Sequence, residues 1–290
     1  SVQNFTDPFR VIWGAFQSIA LMRRLKPDVC FSKGGFVSVP VVFGAWLCRV
    51  PAVCHESDLT PGLANRICAR FATKVAATFP ECARALGKKG VLTGTPLRPE
   101  LFRGNRAAGL ALAGFDGQKP VLLMTGGSLG AQSVNRCLRE ALPELLTRFD
   151  VLHLCGKGNL DPDLDRYAGY RQIEYLTDRM RDAFACADVL VSRAGSNTLC
   201  EILALKKPSL LIPYPKGASR GDQVENAASF AARGLAQVLD QARLTPESLL
   251  AAVRALYASK DELRARMDEE PAANGTKKVL EILEQTAKRG

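Results

Sequence analysis

The stretch Val121-Leu-Leu-Met-Thr-Gly-Gly-Ser-Leu-Gly-Ala131 decides the fold class, because it has the pattern of a buried strand, a glycine-rich turn and the start of a helix. Such a helix start presents free backbone N–H groups and the positive end of the helix dipole, which favour binding of an anion. The turn lacks the lysine of a Walker A loop and the glycine spacing of the dinucleotide-binding fingerprint. The alternative is a tight turn in which the glycines serve only the backbone geometry.

Short apolar runs of strand length alternate with helix-length segments along the whole chain. This alternation is typical of βαβ units and predicts an α/β fold with doubly wound parallel sheets. The predicted strands are 29–31, 52–55, 75–78, 121–125, 151–154, 173–175, 189–191, 210–212 and 237–239. Because ligands bind beyond the carboxyl ends of such strands, the turns that follow the strands are the candidate sites.

The length of 290 residues predicts two domains, at about 150 residues per domain. A turn-rich segment at 93–100 and a polar segment at 104–118 divide the predicted strands into two groups. We therefore expect a first domain at residues 1–98 and a second at residues 99–274.

Charge is unevenly distributed between these two parts. Residues 1–98 hold 13 basic and 5 acidic side chains, whereas residues 99–290 hold 26 and 24. This excess indicates either an anionic partner for the first part, such as nucleic acid, phosphate or a membrane, or simply a solvated basic surface. Nucleic acid is the poorer explanation, because no basic helix or alternating aromatic and basic strand accompanies the charge.

The composition excludes several other classes of protein. Hydrophobic residues make up 47% and charged residues 23%, which excludes a disordered chain. Nine cysteines without a C-x-x-C motif and only two histidines argue against a disulfide framework or a zinc site. The apolar, uncharged stretch at residues 34–48 is too short to span a bilayer. We therefore expect a soluble cytosolic protein with free thiols and no bound metal.

The segment 9–25 has helical length and more apolar surface than one core-facing side requires. Its apolar stripes are Ile12, Phe16, Ile19 and Ala20 on one side and Val11, Ala15 and Met22 on another, and its flanking basic residues are Arg10, Arg23, Arg24 and Lys26. Either this helix is buried between two layers, or part of it meets a membrane surface as a basic amphipathic helix does.

Polar residues follow four other predicted strands. They are Lys33-Gly34-Gly35, His55-Glu56-Ser57-Asp58, the segment Ser196 to Glu201, and Asp222-Gln223. A lysine beside two glycines suits a phosphate, a carboxylate can accept hydrogen bonds from the two hydroxyls of a ribose, and a His-Glu pair is a candidate acid/base pair. Each could instead be a structural turn, a helix cap or a solvated charge.

Six motifs, in this order and over nearly the whole chain, resemble the MurG family of bacterial transferases, which add N-acetylglucosamine (GlcNAc) to a lipid-linked muramyl-pentapeptide. The motifs are Lys33-Gly-Gly-Phe-Val-Ser-Val-Pro, His55-Glu-Ser-Asp-Leu-Thr-Pro-Gly-Leu-Ala-Asn, Gly94-Thr-Pro-Leu-Arg, Gly126-Gly-Ser-Leu-Gly-Ala, Ser192-Arg-Ala-Gly-Ser-Asn-Thr and Ser219-Arg-Gly-Asp-Gln-Val-Glu-Asn-Ala. The resemblance implies a GT-B fold of two Rossmann-like domains. The first would bind the lipid acceptor, joined by a C-terminal helix at 275–290, and the second would bind UDP-GlcNAc.

The resemblance also implies roles for single residues. Donor contacts would be Arg98, Gly127 and Ser128 at the diphosphate, Leu176 at the uracil, Ser196, Asn197, Thr198 and Glu201 around the nucleotide, and Asp222 and Gln223 at the GlcNAc. Lys33, Gly34 and Gly35 would hold the acceptor diphosphate, and Glu56 and Asn135 match polar positions in the catalytic cleft of the family. Asp58, also assigned to the donor, stands where the family often has asparagine.

The implied function is inverting transfer of GlcNAc from UDP-GlcNAc to undecaprenyl-diphosphate-linked MurNAc-pentapeptide (lipid I to lipid II) in peptidoglycan synthesis. It implies no cofactor, an anionic membrane surface as a further partner, and a peripheral location on the cytoplasmic face of the bacterial membrane. Since the family's first strand and its Gly-Gly-His loop have no counterpart here, we expect the first domain to be incomplete. The alternatives are a truncated module that binds UDP-GlcNAc without turnover, and a related UDP-GlcNAc epimerase.

Overall fold

The structure is a computed structural model that describes residues 3–127, 130–215, 222–270 and 274–287. The chain forms two compact units. The first consists of Ser1–Pro96 with Ala272–Gly290, and the second of Leu97–Pro271.

The first unit contains a four-stranded parallel sheet. Its strands are β1 (Cys30–Ser32), β2 (Ala52–Glu56), β3 (Lys74–Ala77) and β4 (Gly90–Leu92), in the order β1-β2-β3-β4. Its helices are α1 (Gln3–Leu25), α2 (Ser38–Leu47), α3 (Leu63–Phe71), α4 (Pro80–Ala85) and α13 (Thr276–Thr286). The core between the sheet and the helices contains Val42, Cys54, Cys68 and Val75, all fully buried.

Helix α1 packs closely on α2. A Cβ atom at Gly44 of α2 would lie 2.5 Å from Oγ of Ser18 in α1, so only glycine permits this approach. On α1, Met22 is buried, but Trp13 and Phe16 are 66% and 64% exposed. The prediction that this helix is buried between two layers is therefore wrong for the part that carries Trp13 and Phe16, and the membrane alternative stays a prediction.

The second unit contains a six-stranded parallel sheet. Its strands are β5 (Val121–Thr125), β6 (Asp150–Leu154), β7 (Tyr170–Ile173), β8 (Val189–Ser192), β9 (Ser209–Leu211) and β10 (Gln237–Val238), in the order β10-β9-β8-β5-β6-β7. Its helices are α5 (Arg106–Ala113), α6 (Gln132–Glu140), α7 (Leu142–Leu145), α8 (Met180–Cys186), α9 (Ser196–Ala204), α10 (Asp222–Ala232), α11 (Pro246–Ala258) and α12 (Lys260–Asp268).

The core of this unit lies between the sheet and the helices α6, α7 and α11. Every residue of β5 is buried, and Phe149 packs its ring edge-to-face on Tyr257 of α11 with 5.4 Å between the ring centroids. Burying a side chain such as Phe149 contributes about 1.5–3 kcal/mol to stability. The central strand β5, which carries the glycine-rich turn, is therefore anchored in a fully packed core.

The predicted α/β fold with parallel sheets is confirmed, and two details differ from the prediction. Strand β4 was not predicted, because it is only three residues long and half-buried. Strand β7 begins three residues before the predicted 173–175, because it pairs Tyr170 with Val151, whereas Tyr175 is exposed after the strand ends.

Candidate functional site

Four groups of predicted donor contacts follow the carboxyl ends of strands in the second unit. They are Gly127, Leu176, the segment Ser196 to Glu201, and Asp222-Gln223. Since all six strands are parallel, the turns that follow β5, β7, β8 and β9 meet at one edge. The chain order reverses between β5 and β8. These two strands are neighbours in the sheet although β6 and β7 lie between them in the sequence. A reversal of this kind opens a crevice at the strand ends, where doubly wound folds bind their ligands.

The first turn at this crevice is the glycine-rich segment after β5. Gly127 has a φ of +87° and Gly130 a φ of +76°, both in the left-handed region that favours glycine. A Cβ atom at Gly130 would lie 2.2 Å from the carbonyl oxygen of Cys155, whereas one at Gly127 would meet open space. The backbone at Gly127 is thus open to a ligand, while Gly130 is required for packing. The predicted donor contact Ser128 lies outside the described residues.

The second turn is the start of α9 after β8. Gly195 is the N-cap of this helix and has no side chain that could cap it. The first-turn N–H groups, on Ser196, Asn197 and Thr198, are therefore left for water or a ligand. An anion is the ligand that a helix N-terminus favours.

Glu201 lies one turn further along α9 and is half-buried. Burial raises the pKa of its carboxyl group, and the positive charge of Arg98 partly opposes that shift. Arg98 itself lines a cavity of about 290 Å³ together with Thr177 and Met180. Leu176, which the resemblance assigns to the uracil, directly precedes Thr177. Arg98 therefore lies where it can act on both Glu201 and the loop after β7.

Helix α10 begins with the predicted sugar contacts Asp222 and Gln223. The backbone N–H of Tyr214 donates a hydrogen bond of 3.3 Å to Oε1 of Gln223. The hydroxyl of Tyr214 donates one of 3.4 Å to the carbonyl oxygen of Gly130. Tyr214 therefore connects the glycine-rich turn to the start of α10.

Asn135, predicted as a catalytic residue, is buried and fully engaged within the second unit. Its Nδ2 donates to the carbonyl oxygen of Cys155 at 2.7 Å, so its Oδ1 must accept from Nε2–H of His153 at 3.0 Å. Nδ1 of His153 then accepts a hydrogen bond of 2.8 Å from the hydroxyl of Tyr170. These partners favour a positioning role, in which Asn135 holds the start of α6 against the end of β6.

Burial and the nearby charge of Arg139 lower the pKa of His153 to about 3. Burial raises the pKa of the Tyr170 hydroxyl to about 12. His153 is therefore neutral and Tyr170 protonated, as the hydrogen-bond directions require.

Glu56, the other predicted catalytic residue, lies at the end of β2 in the first unit and is only 4% exposed. Its Oε1 accepts a hydrogen bond of 3.0 Å from the backbone N–H of Asp58. Its Oε2 accepts bonds of 2.9 Å from the N–H of Gly62 and from Nδ2 of Asn65. Both carboxylate oxygens are used to close the loop between β2 and α3, which favours a positioning role over proton abstraction.

His55 has no free nitrogen for acid/base work. Its Nε2–H donates to the carbonyl oxygen of Gly94 at 3.0 Å, and its Nδ1 lies 3.4 Å from the Ser57 hydroxyl. Burial lowers the pKa of His55, the hydrogen bond to Gly94 partly opposes that shift, and the charge of Lys33 adds to it. A neutral His55 therefore ties the end of β2 to the segment that leaves the first unit.

The predicted acceptor residues Lys33, Gly34 and Gly35 form the turn after β1. Gly34 and Gly35 have φ values of +92° and +88°. A Cβ atom at Gly34 would lie 3.0 Å from Nδ2 of Asn65, whereas one at Gly35 would meet nothing within 4 Å. Asn65 therefore packs against this turn and also holds the loop between β2 and α3 through its hydrogen bond to Glu56.

Three residues with a part in these turns were not predicted: Asn65, Tyr214 and Arg193. Each is a polar or aromatic residue whose partners lie far along the chain, from 9 to 84 residues away. Asn65 and Arg193 lie within quoted motifs and Tyr214 lies five residues before the last one, but the motifs assign no partner to any of them. As for metals, no group of three or more His, Cys, Asp or Glu side chains suited to a metal ion occurs in the described ranges.

Comparison with known proteins identifies the family. The model of the glycosyltransferase family 28 C-terminal domain matches residues 121–283, and that of the N-terminal domain of the same family matches residues 1–77. The chain belongs to glycosyltransferase family 28. The two matched segments contain the glycine-rich turn after β5 and the turns after β1 and β2.

One relative is the protein of Lachnospira eligens named UDP-N-acetylglucosamine--N-acetylmuramyl-(pentapeptide) pyrophosphoryl-undecaprenol N-acetylglucosamine transferase. It is 50% identical over 289 residues, which are 99% of this chain and 82% of the relative. This identity confirms the resemblance of the chain to the MurG family.

Solved structures agree with this relationship. The crystal structure of Acinetobacter baumannii MurG has a TM-score of 0.78 and 25% identity, covering 96% of this chain and 80% of that one. The Neisseria meningitidis UDP-GlcNAc 2-epimerase bound to UDP-GlcNAc has a TM-score of 0.68 at 13% identity, covering 95% and 81%. The implied GT-B fold is confirmed, and the epimerase shares the fold alone.

We expect Glu56→Gln to destabilise the first unit by about 1–3 kcal/mol, because an amide NH₂ would face a backbone N–H that now donates to the carboxylate. Urea unfolding followed by tryptophan fluorescence reports on this unit, since Trp13 and Trp46 both lie in it. Glu284→Gln, on the exposed side of α13, is the matched control and should change little. Unchanged stability together with loss of one limb of the pH–rate profile would instead make Glu56 the catalytic base.

The second unit should lose stability as the pH falls below about 6.5, because an unfolded His153 gains a proton there that the folded one, with its pKa of about 3, does not. We expect His153→Gln to flatten the dependence of the free energy of unfolding on pH by about 1.4 kcal/mol per pH unit between pH 6 and 4. Circular dichroism in urea measures it. Tyr170→Phe removes the hydroxyl partner but keeps the histidine, so it should lower stability and keep the slope; an unchanged slope in His153→Gln would contradict the assignment.

Proposed function

We infer that this chain transfers GlcNAc from UDP-GlcNAc to lipid-linked MurNAc-pentapeptide, the step from lipid I to lipid II in peptidoglycan synthesis. The observation that carries this is 50% identity over 99% of the chain to a relative named for that transfer. The chain is therefore a UDP-GlcNAc-dependent N-acetylglucosaminyltransferase.

The geometry of the second unit supports binding of the nucleotide sugar there. The open backbone at Gly127 and the uncapped N-terminus of α9 can offer backbone N–H groups to a ligand. Such groups suit a diphosphate. Glu201 would accept the ribose hydroxyls, and the loop at Leu176 would contact the uracil. Asp222 and Gln223 would contact the sugar, since the Oε1 of Gln223 is fixed by Tyr214 and its amide nitrogen has no hydrogen bond within the described residues.

The chemistry needs these positive groups at the moment of transfer. The 4-hydroxyl of MurNAc attacks C1 of GlcNAc from the face opposite the diphosphate, so the new bond forms with inversion. The C1–O bond breaks with its electron pair moving to the β-phosphate, and the hydroxyl proton passes to a base. Backbone N–H groups and Arg98 would stabilise the negative charge that develops on UDP.

For the acceptor, the turn after β1 is the best candidate in the first unit. Lys33 supplies a positive charge, and Gly35 leaves the backbone open. Glu56 and Asn65 would hold this turn and the neighbouring loop with Asp58 in place rather than react themselves. We propose no catalytic base from the residues of this unit.

The first unit also has a surface suited to the membrane that carries such an acceptor. On α1 Trp13 and Phe16 are exposed, and on the adjoining α2 Trp46 is 50% exposed. Arg23 and Arg24 end α1. Aromatic and apolar side chains beside basic ones are typical of proteins that lie on anionic membranes. Within the described part of the chain, every helix is too short or too polar to cross a bilayer.

The transfer is tested with purified protein, UDP-GlcNAc and lipid-linked MurNAc-pentapeptide, for which we expect formation of the lipid-linked disaccharide and release of UDP. UDP-ManNAc formed without acceptor would identify an epimerase, and donor binding without turnover would identify an inactive module.

We expect Glu201→Gln to raise the KM for UDP-GlcNAc about 10- to 100-fold, since a hydrogen bond to a carboxylate contributes about 1.5–3 kcal/mol. This variant should also stop distinguishing UDP from 2′-deoxy-UDP, whereas Glu262→Gln on α12 should still do so.

For the membrane surface, we expect sedimentation with vesicles of phosphatidylglycerol but little with phosphatidylcholine. Two double variants should each weaken that binding about tenfold or more: Trp13→Ser with Phe16→Ser, and Arg23→Glu with Arg24→Glu. The first removes apolar area that the membrane would bury. The second removes basic residues, each of which contributes about 1 kcal/mol near such a surface. Phe102→Ser and Arg254→Glu, exposed in the second unit, are the matched controls. Equal binding to both lipids, or no loss in the double variants, would contradict this proposal.

A further inference from the structure

Arg193 is a buried cation at the ligand edge of the second unit. It follows β8 directly and is only 6% exposed. Its guanidinium stacks on the ring of Tyr214, 3.9 Å from the ring centroid. One terminal nitrogen donates to the carbonyl oxygens of Ile212 and Pro213 at 2.9 and 3.3 Å, and to Oε1 of Gln241 at 2.7 Å.

All of these partners are neutral. No carboxylate among the described residues pairs with Arg193, although the same unit pairs exposed arginines such as Arg106 with Asp188. The sequence between 216 and 221 is also free of acidic residues. Nε of Arg193 is buried and makes no hydrogen bond within the described ranges. Burial lowers the pKa of this side chain, which means that the protein alone destabilises its charge.

The position of this charge adds to the cost. Arg193 lies two residues before Gly195, the N-cap of α9, where the helix dipole is positive and disfavours a cation. A buried charge that is not paired with an opposite charge is expensive and is normally avoided. An anion bound at the same edge would remove this cost, because it would complement both the helix end and the guanidinium.

Through its contact with Tyr214, Arg193 is connected to the turns at the carboxyl edge of the sheet. Tyr214, on which it stacks, donates to the carbonyl oxygen of Gly130 in the glycine-rich turn and binds Gln223 through its backbone. The glycine-rich turn and the start of α9 are the two turns that flank the crevice between β5 and β8. Arg193 thus lies two residues before the N-cap of α9 and is connected to the glycine-rich turn through Tyr214.

We propose that Arg193 is the buried counter-charge for the diphosphate of the nucleotide donor and acts on it through space. This inference rests on the proposed function, because it takes the donor to be a nucleoside diphosphate sugar. The guanidinium is pre-organised by its neutral hydrogen bonds and by Tyr214, so no side chain has to move when charge develops. Since UDP gains negative charge as the C1–O bond breaks, Arg193 favours the leaving group more than the intact donor.

The test compares ligands that differ only in charge. Calorimetry measures the affinities of the unaltered protein and of Arg193→Gln for uridine, UMP and UDP. We expect the loss of affinity in the variant to grow with ligand charge, from none for uridine to about tenfold or more for UDP. Two unit charges roughly 8–10 Å apart, at an effective dielectric of about 20, attract each other strongly enough for a change of this size. The kcat should fall more than the KM for UDP-GlcNAc rises. Arg254→Gln, an exposed arginine of α11, should leave the UDP-to-uridine affinity ratio unchanged.

Other outcomes overturn the inference. Equal loss for uridine and UDP would mean that Arg193 only supports the fold of the strand ends. If Arg193→Gln does not fold, Arg193→Lys decides: a retained UDP-to-uridine ratio supports the counter-charge, and a ratio that falls by tenfold overturns it. Failure of the unaltered protein to bind UDP at all would refute the proposed function instead, so the two failures are distinguishable.

Discussion

Parallel pairing of the strands is the constraint on which the rest of each unit depends. Because every strand of a sheet runs in the same direction, all carboxyl ends lie at one edge and all crossovers must return over a face. The turn at 126–131 and the start of α9 are some 65 residues apart in the sequence, yet they flank one crevice. An antiparallel pairing of β5 and β8 would have put these turns at opposite edges, and no rearrangement of side chains could have restored a common site.

Within the second unit, one backbone carbonyl supports the shape of the glycine-rich turn. The oxygen of Cys155 accepts the amide of Asn135 and lies against the backbone of Gly130. Asn135 in turn is fixed by His153 and Tyr170, so three polar side chains are buried with their partners satisfied. A fully satisfied buried network is rigid, because each broken bond would leave a polar group in a low-dielectric interior. The turn is thereby supported by polar side chains that are buried within the unit.

Much of this could be predicted from the sequence, and the limit has a physical cause. The apolar run at Val121 and the glycines after it predicted the central strand and its turn, because both signals are local. The hydrogen-bond partners of Glu56 and Asn135 could not be predicted, since a motif shows that a polar residue is present but not which partners it meets. Glu56 meets Gly62 and Asn65 only after the loop folds back on β2, and Arg193 meets Gln241 across 48 residues. Side-chain partners of this kind depend on tertiary packing, which local patterns do not encode.

Helix α13 belongs to the first unit although it is formed by the end of the chain. Val279 and Ile282 are buried in it, α13 packs on β2 and β3, and Gly275 donates a hydrogen bond of 2.8 Å to the carbonyl oxygen of Thr95. A nascent chain leaves the ribosome from its N-terminus, and domains generally fold in that order. Here the order is reversed: the second unit has all of its residues as soon as Pro271 has emerged, whereas the first must wait for α13 to pack on β2 and β3. The part of the protein made first is therefore the last that can finish folding.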